Sequence, residues 1–324
     1  MSRRALITGS SGFIGSALVR RLRENGWLTA GIGRRPLAVD GYHSHDLGEP
    51  LPASFDGAYD TVVHAAARSS PWGSRREFER DNVAATQNVV DFCRRNGVPR
   101  LVYISSSSVY YRAEHQFEIT EATPLADRAV SLYAETKLKG EEVVRRYEGS
   151  WTILRPRAVY GPGDVVLLPR IVRAARAGRL PLITPAEGPV VGDLIYIENL
   201  LDQIEAVVGD ANVAGDFNLT DNRPVPIIDF LRGIFDRLAI PQPKRRLSVR
   251  TAMLGASVLE TVHRLFLPAR EPAITRFGVH VFAYSKTFDV QRMLTRLSQP
   301  RVSLEESVER TVEWMTNRDA EVDR

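Results

Sequence analysis

The sequence predicts an α/β protein, a doubly wound parallel sheet followed by a smaller, mostly helical C-terminal domain. Three observations predict it. A short apolar run, Ala5-Leu6-Ile7, leads straight into a glycine turn and then an amphipathic helix. Strand-like and helix-like segments alternate after it. From about residue 221 the pattern becomes irregular and proline-punctuated, as expected of a small cap.

The first element fixes most of the fold. Ala5-Leu6-Ile7 reads as a buried strand that runs into Thr8-Gly9-Ser10-Ser11-Gly12-Phe13-Ile14-Gly15. Ile14, Ala17, Leu18 and Leu22 then fall on one helical face. In a βαβ unit of this kind Gly9 makes the tight turn, Gly12 lets backbone approach a pyrophosphate, and Gly15 lets helix pack on strand. The helix N-terminus offers unpaired N–H groups and a positive dipole end to phosphates. A second strand, Leu28 to Ile32, follows at crossover distance. Where it ends, an acid commonly binds the ribose hydroxyls of NAD; here stand Arg34 and Arg35, guanidiniums suited to a 2′-phosphate. The local chemistry favours NADP(H) and leaves NAD(H) possible.

Further along, 61–64 reads as a strand, 77–96 as a helix, 101–104 as a strand, 132–147 as a helix and 151–154 as a strand. Segment 161–190, rich in Gly, Pro and Arg, is expected to leave the sheet, and 193–197 to return to it. The expected division is 1–164 with about 191–220 for the cofactor, and about 165–190 with 221–324 for the substrate.

Tyr133 and Lys137 are four residues apart, so on a helix they share a face. An ammonium about 5 Å from a phenol would stabilise phenolate by ~3 kcal/mol at an effective dielectric near 20, lowering the tyrosine towards neutrality so that it exchanges a proton with an alcohol or carbonyl. Ser105-Ser106-Ser107-Ser108 follows the strand 101–104, at the carboxyl edge where such sheets bind ligands, and one of these hydroxyls can hold the reacting oxygen.

The chain has 324 residues, with 44% hydrophobic and 25% charged residues. That composition excludes intrinsic disorder. One cysteine, Cys93, excludes a disulfide framework and a multi-cysteine zinc site. The net charge of +4 comes from scattered arginines, with only four lysines among 43 basic residues, and no basic stripe interleaved with aromatics predicts nucleic-acid binding. Six histidines lack metal-ligand spacing, so no metal is expected. No apolar run reaches a membrane-span length of ~18 residues and no signal peptide is read at the start, so a cytoplasmic chain without a membrane span is expected.

Taken in order, TGSSGFIG, Asp46-Leu47, His64-Ala65-Ala66-Ala67, Asn82 in DNVAATQNV, YISSSSVY, YAETK and RPRAVYGPGD resemble the extended short-chain dehydrogenase/reductases of the epimerase/dehydratase superfamily. The resemblance covers nearly the whole chain. It implies a Rossmann fold in which Asp46 and Leu47 border the adenine and His64, Ala65, Ala66 and Ala67 line the cofactor, His64 through its backbone. Asn82, Pro156 and Val159 join the implied cofactor residues. Ser106 and Tyr133 would bind the reacting oxygen, with Ser107 the neighbour of Ser106. Lys137 would grip the nicotinamide ribose and depress the tyrosine. SSPWGSRREF, LLPRIVRAARAGRL, DLIYIENL and EPAITRF are similar to the 3β-hydroxysteroid dehydrogenase-like branch, and in particular to bacterial 2-alkyl-3-oxoalkanoate reductases. That likeness implies a ketone or secondary alcohol on a hydrophobic molecule, and a homodimer. Gly192 ahead of Asp193, and Ser107-Ser108 in place of an acid pair, depart from sugar-nucleotide enzymes; Leu297-Ser298-Gln299 departs from the branch's usual Leu-Gly-Tyr. Two other readings are a sugar-nucleotide 4-epimerase with retained NAD and a non-catalytic NADP-binding regulator; the intact Ser106, Tyr133 and Lys137 set argues against the second.

Two segments carry further expectations. Arg170, Arg173 and Arg176 step along a helix as a solvated face, unless Arg157 or Arg170 turns into the cleft to bind a substrate carboxylate or phosphate. Segment 249–268 reads as an amphipathic helix that packs in the cap core; the alternative is a wall of an apolar substrate entrance that touches a membrane surface.

Overall fold

Apolar runs at the front of the chain become strands buried on both faces, as parallel sheets require. In the computed structural model, which describes residues 3–184 and 188–322, seven strands form one sheet. They are β1 (Arg4–Thr8), β2 (Leu28–Gly33), β3 (Tyr42–Ser44), β4 (Thr61–His64), β5 (Arg100–Ile104), β6 (Ser150–Pro156) and β7 (Gly215–Leu219). They lie in the order β3-β2-β1-β4-β5-β6-β7, parallel throughout. The order reverses between β1 and β4, so a crevice opens beyond their carboxyl ends. Alternate residues serve opposite faces: Ile7, Val63, Val102 and Leu154 join the core that packs helix α1 (Phe13–Glu24), whereas Leu6, Val62, Leu101 and Ile153 join the core under α2 and α3.

Helix α2 runs in α form over Arg75–Phe78, passes through a π-helical stretch, Glu79–Ala84, and continues over Ala85–Arg95. Its start is fixed by a capping box between Ser74 and Glu77, two residues earlier than the apolar pattern predicts. Helix α3 (Leu132–Val144) begins at Ser131, whose side chain accepts from Ala134 N–H. Beyond the sheet lie α4 (Leu168–Arg176), α5 (Ile197–Gly209), α6 (Ile227–Arg237), α7 (Val249–Phe266), α8 (Arg276–Ala283), α9 (Gln291–Arg296) and α10 (Leu304–Val322). The C-terminal region is thus mostly helical. Segment 161–190 does leave the sheet, although 185–187 lie outside the described residues.

One strand assignment is corrected. Residues 193–197 do not rejoin the main sheet; Ile195–Tyr196 pairs with Val159–Tyr160 in a separate ribbon. The seventh position is taken by β7, whose Gly-Asp-Phe-Asn-Leu sequence has only two large apolar residues, Phe217 and Leu219, both buried.

Two glycines show why the first turn needs them. Gly9 has φ +69°, and a Cβ there would lie 2.7 Å from Ala66 N. A Cβ on Gly15 would lie 2.2 Å from Gly9 O. Both contacts are backbone, so neither neighbour can rotate away.

The helix carrying Tyr133 and Lys137 is locked to the sheet by a buried charge network. Arg155 of β6 and Glu141 of α3 are almost wholly buried and pair through two bonds: Nε donates to Oε1 at 2.9 Å and Nη2 to Oε2 at 2.6 Å. Ser105 Oγ, at the end of β5, donates to Glu141 Oε1 at 2.6 Å. Asp216 of β7 accepts from Arg155 and from Arg145, and Arg155 also donates to the Tyr110 hydroxyl. Burial alone would raise the Glu141 carboxyl, but the Arg155 guanidinium outweighs it and holds it below the ordinary range. Its sign follows: the pair stabilises the fold at and above ordinary carboxylate pH, and the gain is lost only as pH falls through the lowered value. Glu141→Ala leaves the buried Arg155 guanidinium with Asp216 as its remaining carboxylate partner and should cost up to about 3–5 kcal/mol in denaturant unfolding at neutral pH. That deficit should shrink in acid, once pH falls below the ordinary glutamate value of about 4.3 towards the lowered folded one. A deficit that does not change with pH would show that packing, not charge, holds α3.

Candidate active site

A cleft of about 590 Å³ runs along the carboxyl ends of the strands. One end is built from the β1 turn, where Gly9, Ser11, Gly12, Phe13, Ile14 and Gly15 form the wall. The Gly9 and Gly15 contacts described above leave main chain, not side chain, facing the space, a surface that suits a pyrophosphate. Ala65, Ala66 and Ala67 after β4 and Pro156 and Val159 after β6 also line it, with Asp46 and Leu47 at the far edge. The other end is apolar, with Ile171, Ile227, Phe230, Leu231, Phe277 and Phe282 facing inward from α4, α6 and α8.

Between the two ends stand Ser106, Ser107, Tyr133 and Lys137. Ser106 caps the short turn Ser107–Tyr110 and accepts from Ser108 N–H at 3.2 Å, so its hydroxyl is fixed at the end of β5. Tyr133 lines the same stretch of the cleft, and its phenol lies within the influence of the Ser106 hydroxyl. Lys137 is buried, and its Nζ donates to Ile104 O at 2.6 Å while lying 4.3 Å from the Tyr103 ring centroid. Ser107 Oγ bonds to Tyr111 Oη at 3.0 Å.

The electrostatics differ from the expected tuning: burial, Ser106 and Tyr111 act on the Tyr133 phenol, and Lys137 is not among these influences. Loss of solvent pushes Tyr133 up to about 12, against the smaller opposing effect of the Ser106 hydroxyl. Burial brings Lys137 down to about 7, with Glu141 opposing. A lysine whose own charge is penalised and whose ammonium is tied to a carbonyl gives the phenolate little help. At neutral pH Tyr133 therefore holds its proton.

At the end of β2, Arg34 donates to Asp81 Oδ2 at 3.1 Å, and Arg35 donates to Ser11 O. Asp81 also accepts from Arg68 Nε and Arg80 Nε, and Arg80 reaches Asp46 Oδ2 at 2.5 Å. Arg34 and Arg35 thus line this end of the cleft beside Asp46 and Asp81.

Four expected contacts do not reach the cleft wall. The Ser10 side chain points at Gly31 across the turn. His64 is buried, with Nδ1 2.7 Å from Thr8 Oγ1 and Nε2 3.0 Å from Thr86 Oγ1; burial holds it neutral, near 3. Its ring ties strands and helix together. Asn82 Oδ1 accepts from Arg68 N–H at 2.7 Å and its Nδ2 donates to Thr136 at 2.9 Å, pinning α2 to α3. Arg170 pairs with Glu271 outside the cleft, whereas Arg157 does line it. Arg173 and Arg176 are exposed, the expected solvated face.

Sequence reasoning missed Asp81, Glu141, Arg155 and Tyr111. The RDN triplet at 80–82 and the glutamate eight residues past Tyr133 were available signals. Segment 249–268 is also corrected: α7 buries Ala252, Ala256 and Glu260 but leaves Leu259, Val262, Leu265 and Phe266 exposed, and it is not part of the cleft wall.

Comparison with known proteins agrees with this geometry. The 2-alkyl-3-oxoalkanoate reductase of Stenotrophomonas maltophilia is 31% identical, over 94% of this chain and 97% of its own. The human sterol-4-alpha-carboxylate 3-dehydrogenase, decarboxylating, is 26% identical, over 96% of this chain and 88% of its own. Among solved structures, MoeE5 in complex with UDP-glucose and NAD superposes with a TM-score of 0.77 at 24% identity, covering 97% of this chain and 99% of that one; at that identity the likeness is one of fold. The profile of the NAD dependent epimerase/dehydratase family matches residues 5–219. With a seven-stranded doubly wound sheet, the glycine turn and the reductase relatives in agreement, the chain is an enzyme of the NAD dependent epimerase/dehydratase family, in its extended short-chain dehydrogenase/reductase branch.

Proposed function

We propose that the chain interconverts a ketone and a secondary alcohol on an apolar molecule, using a nicotinamide dinucleotide, and that the molecule is an acid with its carboxylate close to the reacting carbon. The observation that carries this reading is the Ser106–Tyr133 pair, brought together in one cleft between a glycine turn and an apolar chamber. A bound nicotinamide supplies or takes up two electrons with the hydrogen. The chain does the rest. Ser106 and Tyr133 orient the carbonyl oxygen and stabilise its developing charge. Tyr133, protonated at neutral pH, gives its proton to that oxygen. Lys137 belongs to the hydroxyl-binding side of the cofactor and relays protons from its near-neutral amine.

Arg157 supports the acid. Its guanidinium lies 5.4 Å from the Tyr111 ring centroid, and its Nε is buried without a partner. Lys286 approaches the same ring at 5.7 Å. The carboxylate nearby, Asp193, is pushed up to about 6 by burial, against the pull of Arg157. A buried guanidinium with an unfilled donor favours an arriving anion. Both compared relatives carry names of carboxylate-bearing compounds, which agrees. The epimerase reading has fold likeness behind it, and the six apolar side chains of the chamber offer a sugar few hydrogen bonds. For the cofactor, Arg34 and Arg35 at the end of β2, where an acid would bind the ribose hydroxyls of NAD, favour a 2′-phosphate, hence NADP(H).

Three measurements test this. Tyr133→Phe should cut kcat by roughly 10²–10⁴-fold and leave the dinucleotide Kd unchanged; near-normal kcat would remove the acid role. Arg157→Gln should raise KM for a 2-alkyl-3-oxo acid by about tenfold or more and leave KM for its methyl ester unchanged. Equal effects on acid and ester would place the carboxylate elsewhere. The double change Arg34→Ala, Arg35→Ala should raise KM for NADPH about tenfold and spare NADH; a matched loss with both would mean that the pair only shapes the loop.

A further inference from the structure

We infer that α7 docks the enzyme on an anionic lipid surface, lying in the interface with its axis along the membrane. The helix is exposed where a soluble cap helix would be covered. Residues of an α-helix are about 100° apart, so Leu254, Val258 and Leu265 fall on one line, with Val262 and Phe266 beside it. Leu254 and Leu265 are each 70% exposed and Phe266 is 75% exposed. The opposite side packs inward, where Ala252 and Ala256 meet Val279 of α8 and Ile183, and Glu260 is held by Arg276, whose Nε donates at 2.9 Å. The helix therefore has an inner face already satisfied and an outer apolar face that nothing among the described residues covers. A continuous patch of this kind on a folded surface marks an interaction site.

Charge selects the occupant. Lys244, Arg245, Arg246, Arg250, Arg264 and Arg270 all lie within or beside α7 and all are exposed, while the only acid from 244 to 270 is the buried Glu260. Basic residues bordering an exposed apolar stripe suit acyl chains beneath anionic headgroups. A second copy of this chain, meeting the patch about a two-fold axis, would set the same cations against each other. No helix among the described residues is long and apolar enough to cross a membrane, so α7 lies on the surface.

The placement has a use. α8 stands between α7 and the cleft, with Val279 towards α7 and Phe277, Val281 and Phe282 in the cleft wall. One helix thus separates the docking face from the apolar chamber, a short route for a substrate that partitions into lipid. Trp72 sits at the α7 terminus, where its Nε1 donates to Pro268 O at 2.9 Å and Arg264 lies over its ring.

Co-sedimentation of the full chain with vesicles tests the inference, using phosphatidylcholine alone and phosphatidylcholine mixed with phosphatidylglycerol. Vesicle binding is read without turnover, so failure to dock and failure to reduce a ketone are separate results. The wild type should pellet with the mixed vesicles and bind the neutral ones roughly tenfold more weakly. Its tryptophan emission should shift to the blue. Leu254→Ser, Leu265→Ser and Phe266→Ser together should lower binding to the mixed vesicles by about tenfold or more, while dinucleotide affinity and turnover of a water-soluble ketone stay at wild-type values. Lys244→Glu with Arg245→Glu should abolish the preference for the anionic mixture. A wild type that remains in the supernatant with both vesicles would overturn the proposal, as would a triple variant that pellets equally. A wild-type dimer that the triple variant converts to monomer would show that a second copy covers the face instead.

Discussion

Helix α3 can present its chemistry only because Arg155 and Glu141 hold it to the sheet. Tyr133, Lys137 and Glu141 are spaced by four, so one helix face carries the phenol, the amine and the anchoring carboxylate in succession. The carboxylate is gripped by a guanidinium from β6 and a hydroxyl from the end of β5. With that end fixed, rotation or sliding of the helix would break charge-assisted bonds in a space closed to water, where a lone charge is costly. The register that sets Tyr133 beside Ser106 is therefore an electrostatic consequence of residues one and two turns away. The same serine run contributes to both ends: Ser105 holds the anchor and Ser106 meets the phenol.

The network also explains the protonation states. A site this enclosed disfavours charge on any group lacking a strong partner. Glu141 has Arg155 and stays ionised. Lys137 has a main-chain carbonyl and a distant share of Glu141, so burial lowers it; Tyr133 has one neutral hydroxyl, so burial raises it. The expected coupling of Lys137 to the phenol assumed a charged amine in a moderately polar medium. The closed setting removes that assumption, and the outcome is a phenol that holds its proton at neutral pH.

Much of the fold was legible in the sequence because its signals are local. Gly9 and Gly15 mark positions where any Cβ would strike backbone, and the apolar runs of β1, β2, β4 and β5 are long enough to read. β7 was not legible: Gly215, Asp216 and Asn218 hide a strand that exists because β6 offers a partner and the core takes Phe217 and Leu219. The site divided in the same way. The motif residues Ser106, Tyr133 and Lys137 line the cleft, as does Arg157, which the sequence offered only as an alternative together with Arg170. Arg170 was not separable from it, since its partner Glu271 lies about a hundred residues away. Glu141 and Asp81 were missed because their roles depend on which arginines tertiary packing brings to them. The outward face of α7 stood only as the second of two readings, because amphipathic spacing shows that a helix has an apolar side, not whether the fold leaves that side uncovered.

The protonation of Tyr133 is the most direct test of this account. Ring-labelled tyrosine, observed by carbon NMR and assigned by difference against a chain lacking that phenol, reports the ionisation in the free enzyme. The account predicts that Tyr133 remains protonated past the ordinary tyrosine midpoint of about 10. A midpoint near neutrality would contradict it, and would return the site to a lysine-lowered phenolate.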